Sequence, residues 1–137
     1  MKKRTPVSKI MSTDIITVTK NQELKEVDEI IKGNHIRHVP VVSGDKVIGM
    51  LSKTDLQKIS FINTIDGETL TTAMYDVLTV DQVMTRDLAT VQKDDTIHDV
   101  AVKLSKKEFH ALPVLDGTKL VGIVTTTDLI KYLIELF

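Results

Sequence analysis

The segment Gly49-Met-Leu-Ser-Lys-Thr-Asp55 returns 73 residues later in the chain as Gly122-Ile-Val-Thr-Thr-Thr-Asp128. Each copy places a glycine in an apolar run, then a hydroxyl residue, and then a carboxylate three residues after that hydroxyl. The similarity extends outward without a gap, since residues 7–59 align with residues 80–132 and 16 of these 53 positions are identical. One register rarely persists by chance over such a length, so the chain contains an internal repeat.

The repeat divides the 137 residues into two related halves and a connector. We assign residues 1–59 to the first repeat, with its core at 7–59, residues 60–79 to the connector and residues 80–137 to the second repeat. Each copy is near the lower size limit for independent folding, so each half is expected to bury its apolar face against the other. Asp66-Gly67 predicts a turn within the connector.

Short apolar and β-branched runs predict three strands in each copy. The last two strands form a hairpin, because a glycine-containing turn, Ser43-Gly-Asp45 or Asp116-Gly-Thr118, separates them. The middle strand carries Pro40 or Pro113, which lacks an N–H and should therefore lie at a strand start or a sheet edge. The predicted strands are Ile15–Val18, Val39–Val42 and Val47–Leu51 in the first copy, and Leu88–Val91, Leu112–Leu115 and Leu120–Val124 in the second.

Two helices complete each copy. One begins at the repeated turn, at Ser52 or Thr125, and the other is predicted from apolar residues at helical spacing. Each copy therefore reads β-α-β-β-α, which predicts an α+β fold with helices on one face of a sheet. The apolar positions are Leu24, Val27, Ile30 and Ile31 in the first copy, and Ile97, Val100, Ala101 and Leu104 in the second.

Composition excludes several classes of protein. With 18 Lys and Arg against 19 Asp and Glu, the chain lacks the basic excess of proteins that bind nucleic acid or anionic lipid. It has no cysteine, which removes disulfide scaffolds, thiolate zinc sites and cysteine nucleophiles. No window approaches the ~18 apolar residues of a membrane span. We therefore expect a soluble, cytoplasmic protein without a nucleic-acid or membrane partner.

The repeated turn has two interpretations. A hydroxyl residue followed three residues later by a carboxylate, just after a strand, resembles an N-capping box, which needs no ligand. Alternatively, a glycine in a strand often marks close approach by a ligand or another backbone, and a helix N-terminus favours phosphate. An aspartate beside it can accept hydrogen bonds from a ribose diol. Duplication of the whole pattern favours a nucleotide site.

The two copies resemble a tandem of cystathionine-β-synthase-type (CBS) domains, also called a Bateman module. The matching segments are Val39-Pro-Val41 with Gly49–Leu56, and Leu112-Pro-Val114 with Gly122–Leu129. The resemblance spans residues 7–134 and implies two repeats packed with pseudo-two-fold symmetry. It also implies that AMP, ADP, ATP or a related compound binds in two clefts between the repeats, and that the module regulates a partner rather than catalysing a reaction.

The resemblance further implies that each cleft takes its turn from one repeat and its base pocket from the other. Asp55 and Asp128 would bind ribose hydroxyls, and the hydroxyl side chains of the turns would lie near phosphate. The base would lie against Ile16 and Ile36 or against Ala89 and Phe109, with Arg37, His38 and His110 reaching phosphate. One site comprises Ser52, Thr54, Asp55, Met84, Ala89, Phe109 and His110, and the other comprises Thr125, Thr127, Asp128, Met11, Ile16, Ile36, Arg37 and His38.

Several of these side chains have other interpretations. Phe109 either stacks on adenine or belongs to the core. His35 and His38 are three residues apart, which suggests a metal, a phosphate contact or a solvated loop, but no third ligand lies at suitable spacing. No catalytic residues, metal or resident cofactor are expected. Met11 and Met84 are repeat equivalents, which favours packing near the clefts.

The segment Leu129–Phe137 is apolar nearly all round and predicts a helix that must be covered. It is either a frayed core helix or a subunit interface, and we expect the interface, a homodimer formed with help from Leu56, Ile59 and Ile62. The leading hypothesis is a ligand-sensing regulatory module. The alternatives are a purely structural dimerisation module with empty clefts and a small enzyme.

Overall fold

The computed structural model describes residues 4–62, 77–106 and 110–137. The chain forms two compact units, which we call the first unit (residues 16–87) and the second unit (residues 1–15 with 88–137). Each unit contains the hairpin of one repeat together with the opening segment of the other repeat. The turn predicted at Asp66-Gly67 lies outside the described residues.

The first unit is a hairpin with two long helices. In chain order its elements are α1 (Leu24–Asn34), β1 (His38–Ser43), β2 (Lys46–Ser52), α2 (Lys53–Ile62) and the short α3 (Val80–Val83). β1 and β2 pair antiparallel, and Gly44 turns between them with a φ of 64°, a value that glycine adopts without strain. The helix predicted from apolar spacing is confirmed, because Leu24, Val27 and Ile31 are buried in the unit's core.

The second unit repeats this arrangement. Its elements are a 3-10 turn (Val7–Lys9), β3 (Val91–Gln92), α4 (Ile97–Lys106), β4 (Ala111–Asp116), β5 (Lys119–Thr125) and α5 (Thr126–Glu135). The strands form a sheet in the order β3-β4-β5, with β3 parallel to β4 and β5 antiparallel to it. Gly117 turns the hairpin with a φ of 66°. The mixed helix-and-strand architecture confirms the predicted α+β class.

The strand predicted at Ile15–Val18 is wrong in its extent. Only Val18 pairs with β1, through a single parallel bridge in which its N–H donates to the Pro40 carbonyl at 3.0 Å. The equivalent strand of the second repeat is likewise reduced to Val91–Gln92. The β-branched run of each repeat thus contributes only one or two residues to the sheet.

Both prolines lie inside strands, and the expectation of a strand start or a sheet edge is met by Pro40 but is wrong for Pro113. Pro40 is on an edge strand, but Pro113 is in β4, the central strand of its sheet. Pro113 stands opposite Ile123, whose N–H and carbonyl both bond to Ser12 instead of β4. The missing proline N–H therefore interrupts no β4–β5 hydrogen bond.

Helix α5 leaves an apolar surface uncovered. Ile130, Leu133, Ile134 and Leu136 are exposed by 40% to 68%, and Phe137 by 97%. Leu56, which was expected to contribute to the same interface, is only 2% exposed and belongs to the core of the first unit, so this part of the prediction is wrong. Ile59 packs against that core as well. Among the described residues, no helix is long and apolar enough to cross a membrane.

Candidate functional site

The turn at Ser52 is a reciprocal cap on α2. The Ser52 N–H donates to Oδ2 of Asp55 at 3.0 Å, and the Asp55 N–H donates to the Ser52 Oγ at 3.0 Å. These two bonds satisfy donors that a helix N-terminus would otherwise leave open, which is worth about 1 kcal/mol. The capping interpretation is therefore confirmed, and any ligand must bind through the polar groups that the cap does not use.

The turn at Thr125 caps α5 in the same way. The Thr125 N–H donates to Oδ2 of Asp128 at 2.8 Å, and the Asp128 N–H donates to the Thr125 Oγ1 at 3.2 Å. The Thr125 hydroxyl also donates to Asp128 Oδ2 at 3.1 Å. Both the hydrogen and an oxygen lone pair of this hydroxyl are thus engaged inside the cap, which leaves it little capacity for a phosphate.

Each cap leaves one backbone donor at the start of its helix. The Lys53 N–H donates to the Arg37 carbonyl at 2.8 Å, and the Thr126 N–H donates to the His110 carbonyl at 3.0 Å. With the third N–H held by the cap, the described hydrogen bonds use neither the Thr54 nor the Thr127 N–H. Both of these threonines are exposed.

The remaining groups at each turn have complementary chemistry. A backbone N–H and a threonine hydroxyl at the positive end of a helix are donors suited to a phosphate oxygen. The described bonds of Asp55 and Asp128 engage Oδ2, so Oδ1 can accept from a hydroxyl group. The turns therefore combine donors for an anion with an acceptor for a diol within two consecutive residues.

The residues at the start of β1 and β4 lie alongside the turns of their own repeats. His38 pairs in register with Ser52, and Ala111 pairs with Thr125. The structure therefore brings Arg37 and His38 next to the Ser52 turn, where the sequence analysis had grouped them with the Thr125 turn. Their grouping with the opposite repeat, like the remaining membership of the two sites, stays a prediction.

The two strand glycines make room for the two methionines. A Cβ on Gly49 would collide with the Met84 side chain, and a Cβ on Gly122 would lie 2.5 Å from the Met11 Sδ and 3.1 Å from the Ser12 carbonyl oxygen. The close approach that a strand glycine signals is therefore an approach by the opening segment of the other repeat. Met84 is buried and Met11 half-buried, which confirms their packing role.

The other predicted site residues have mixed surroundings. Ile36 packs against the core of the first unit and Ala89 against the core of the second, while Ile16 is half-buried. His110 is exposed, and Phe109 lies outside the described residues. Within the described ranges, His, Asp and Glu side chains form no group of three that could hold a metal ion.

Sequence reasoning missed one pair of positions at the turns. Lys53 and Thr126 occupy the first position of α2 and α5, where both are exposed, and Lys53 adds a cation to a turn whose backbone bonds to Arg37. The signal was present in the repeat alignment, since this is a position where a charged residue replaces a neutral one inside the best-matched segment.

Comparison with known proteins confirms the family resemblance. The sequence model of the CBS domain matches residues 7–61 and again residues 80–135. Among solved structures, the CBS domain pair of protein MJ0100, in complex with 5′-methylthioadenosine and S-adenosyl-L-methionine, is 27% identical with a TM-score of 0.80, over 97% of this chain and 98% of that one. Protein MJ1225 of Methanocaldococcus jannaschii is 25% identical with a TM-score of 0.83, over 97% of this chain and 49% of that one.

Relatives with an enzyme name are much longer than this chain. A homoserine O-acetyltransferase of Methanohalobium evestigatum is 31% identical over 135 residues, which are 97% of this chain and 25% of that protein. The chain thus spans about a quarter of that relative. The shared part is a pair of CBS repeats, so the acetyltransferase name describes a protein that contains far more than this module.

Proposed function

Because the chain belongs to the CBS-domain family, we propose that it is a regulatory module that binds adenosine nucleotides and alters the state of a partner protein. The observation that carries this proposal is the pair of capped turns. Each leaves a backbone N–H, a threonine hydroxyl and a carboxylate oxygen at a helix N-terminus. A solved relative of the same length holds two adenosine compounds, 5′-methylthioadenosine and S-adenosyl-L-methionine, which supports this class of ligand.

The residue roles follow from the groups that the caps leave available. Asp55 and Asp128 accept hydrogen bonds from ribose hydroxyls through Oδ1, while Oδ2 stays in the cap. Thr54 and Thr127 donate to phosphate or to another polar group of the ligand. Ser52 and Thr125 act indirectly, because their hydroxyls hold the carboxylates in place. We expect one base to lie against Ile16 and Ile36 and the other base to lie against Ala89 and Phe109.

The effect of a bound ligand would be transmitted to a partner through α2 and α5, the helices that begin at the two turns. A ligand that bonds to the first turn of α2 or α5 favours whichever arrangement of that helix makes the better contacts. Only such a difference in affinity between two arrangements converts occupancy into a signal. Because α5 also carries the uncovered apolar surface, the Thr125 turn and that surface lie on the same helix.

We place a second copy of the chain on the exposed face of α5. Ile130, Leu133 and Ile134 recur at helical spacing on that face, and an uncovered apolar helix of this kind is typical of an interface. A charge on this face should separate the copies, so Leu133→Glu is expected to yield monomers in light scattering. A monomeric parent chain at micromolar concentration would contradict the dimer.

The same observations support a second candidate, a purely structural dimerisation module. Both carboxylates already have a structural role in the caps, and the exposed α5 face alone would explain dimer formation. The two candidates differ in one observable quantity, which is whether any adenosine compound stabilises the folded chain.

A thermal-shift titration separates these candidates. 5′-Methylthioadenosine, S-adenosyl-L-methionine, AMP, ADP and ATP are added separately, with guanosine as the control nucleoside. A ligand at 100 times its Kd adds about 2.7 kcal/mol to the stability of the folded state, which is a readily measured rise in melting temperature. If none of the five compounds raises the melting temperature above the guanosine control, the sensing proposal fails and the structural module remains.

A further inference from the structure

The two turns are alike in backbone and unlike in charge. At both, the first helical N–H bonds to the residue before the hairpin, and a capping box holds the carboxylate. At the first turn the two residues joined by that backbone bond are Lys53 and Arg37. At the second turn they are Thr126 and His110.

The cations of the first turn are exposed and available. Arg37 and Lys53 take part in none of the ion pairs found among the described residues, which involve Lys32, Arg86, Lys93 and His98. Together with the carboxylate of Asp55, they give the first turn a formal charge of one positive unit. The second turn has no lysine or arginine at these positions, and the carboxylate of Asp128 gives it a formal charge of one negative unit.

At the second turn, the Lys53-equivalent position is held by the exposed Thr126, whose hydroxyl lies near the backbone. The Thr126 hydroxyl lies 3.5 Å from the His110 carbonyl oxygen, and the Thr126 N–H donates to that same oxygen. This turn therefore offers an anion fewer donors in addition to having two fewer positive charges.

We propose that the two turns select ligands by charge. The Ser52 turn binds an adenosine compound that carries a di- or triphosphate, and the Thr125 turn binds one that carries at most a single phosphate. This inference rests on the proposed function, because it assigns a ligand class to each of the two turns. Lys53 and Arg37 are its specificity-determining residues.

The expected size of the effect follows from Coulomb's law. One pair of unit charges about 7 Å apart in water changes an affinity about threefold. A triphosphate carries about two more charges than a monophosphate, and the first turn carries two cations. After partial screening by salt, we expect the Ser52 turn to bind ATP about tenfold more tightly than AMP.

The test reads each turn separately by isothermal titration calorimetry in magnesium-free buffer, with adenosine, AMP and ATP as probes. Asp128→Asn isolates the Ser52 turn and Asp55→Asn isolates the Thr125 turn, because asparagine keeps one acceptor oxygen for the cap. In the Asp128→Asn chain, Lys53→Thr should weaken ATP binding about threefold more than adenosine binding. Lys58→Thr is the matched control, since it removes the same charge farther along α2 and should leave the ratio of ATP to AMP affinity unchanged.

A variant that adds a positive charge to the second turn should gain affinity, and a gain cannot result from unfolding. In the Asp55→Asn chain, Thr126→Lys should raise the affinity for ATP about threefold, and this gain should vanish at high ionic strength. An equal ratio of ATP to AMP affinity at both turns, or an equal loss of adenosine and ATP affinity in Lys53→Thr, overturns the charge selection while leaving nucleotide binding intact. If no adenosine compound binds to either turn, the proposed function itself is overturned, and the charge selection with it.

Discussion

Replacing Gly49 with alanine adds one methyl group where the Met84 side chain crosses β2. The new Cβ would lie 2.9 Å from the Met84 Cγ and 3.2 Å from its Cβ, and still closer to the sulfur. Met84 is only 6% exposed and belongs to the core cluster of the first unit, so it has little room to move away. Overpacking of this kind costs about 1–3 kcal/mol, and we expect Gly49→Ala to lower the free energy of unfolding by about 2 kcal/mol.

A double-mutant cycle assigns that loss to the methionine. Met84→Ala alone should cost about 2–4 kcal/mol, because it empties a buried site. In the double variant the alanine methyl group enters the space that Met84 leaves, so the combined loss should be smaller than the sum of the single losses by about 1–2 kcal/mol. Urea unfolding followed by circular dichroism gives each free energy, provided that the dependence on urea concentration is unchanged.

Gly33→Ala is the matched control. Gly33 lies in α1, and a Cβ there would meet nothing within 4 Å. Alanine favours a helix over glycine, so this variant should stabilise the chain by about 0.5–1 kcal/mol. A neutral Gly49→Ala variant, or losses that simply add in the double variant, would refute the packing of the Met84 segment against β2.

Three further stability predictions concern the caps and turns. Thr125→Ala should lose about 1 kcal/mol in urea unfolding, whereas Thr125→Ser should retain most of it; equal losses would show that the hydroxyl bond to Asp128 is unimportant. His35 caps the end of α1 with a φ of 54°, which is strained for any residue except glycine. His35→Gly should therefore stabilise the chain by about 0.5–1 kcal/mol and raise its melting temperature. A lower melting temperature would show that this backbone position is not strained. The Gln92 side-chain amide makes two 3.0 Å hydrogen bonds with the Gly117 backbone, so Gln92→Ala should cost about 1 kcal/mol. Thr19→Ala, at the equivalent position of the first repeat, should cost less. Similar losses in the two variants would show that these two hydrogen bonds do not stabilise the fold.

The elements that could be predicted from the sequence are those that both copies of the repeat share. The hairpins, their glycine turns and the helix beginning at Leu24 follow from local patterns, and the structure has them where those patterns lie. The opening segments were not predictable in the same way. Ser12 pairs with Ile123, and Thr85 pairs with Met50. These pairs join residues far apart in sequence, and no local sequence pattern predicts them. Without such long-range information, the strand at Ile15–Val18 was overestimated.

The candidate site shows the same limit at the level of single atoms. The sequence located both turns and both carboxylates, because a capping box and a nucleotide turn share the same residue types. The sequence did not show that the Thr125 hydroxyl would both donate and accept a hydrogen bond within the cap. Nor did it show that the Lys53 N–H would donate to the Arg37 carbonyl. Those facts depend on which backbone lies beside the turn, which only the folded hairpin determines.

Calorimetric titration of the full chain with 5′-methylthioadenosine, AMP and ATP tests the central claim most directly. We predict saturable binding of at least one compound, with loss of one part of that binding in Asp55→Asn and of the other part in Asp128→Asn. Melting curves of both variants should stay close to that of the parent chain, because the caps keep an acceptor oxygen. Absence of binding by all three compounds, or binding that survives in the chain carrying both substitutions, would contradict the claim.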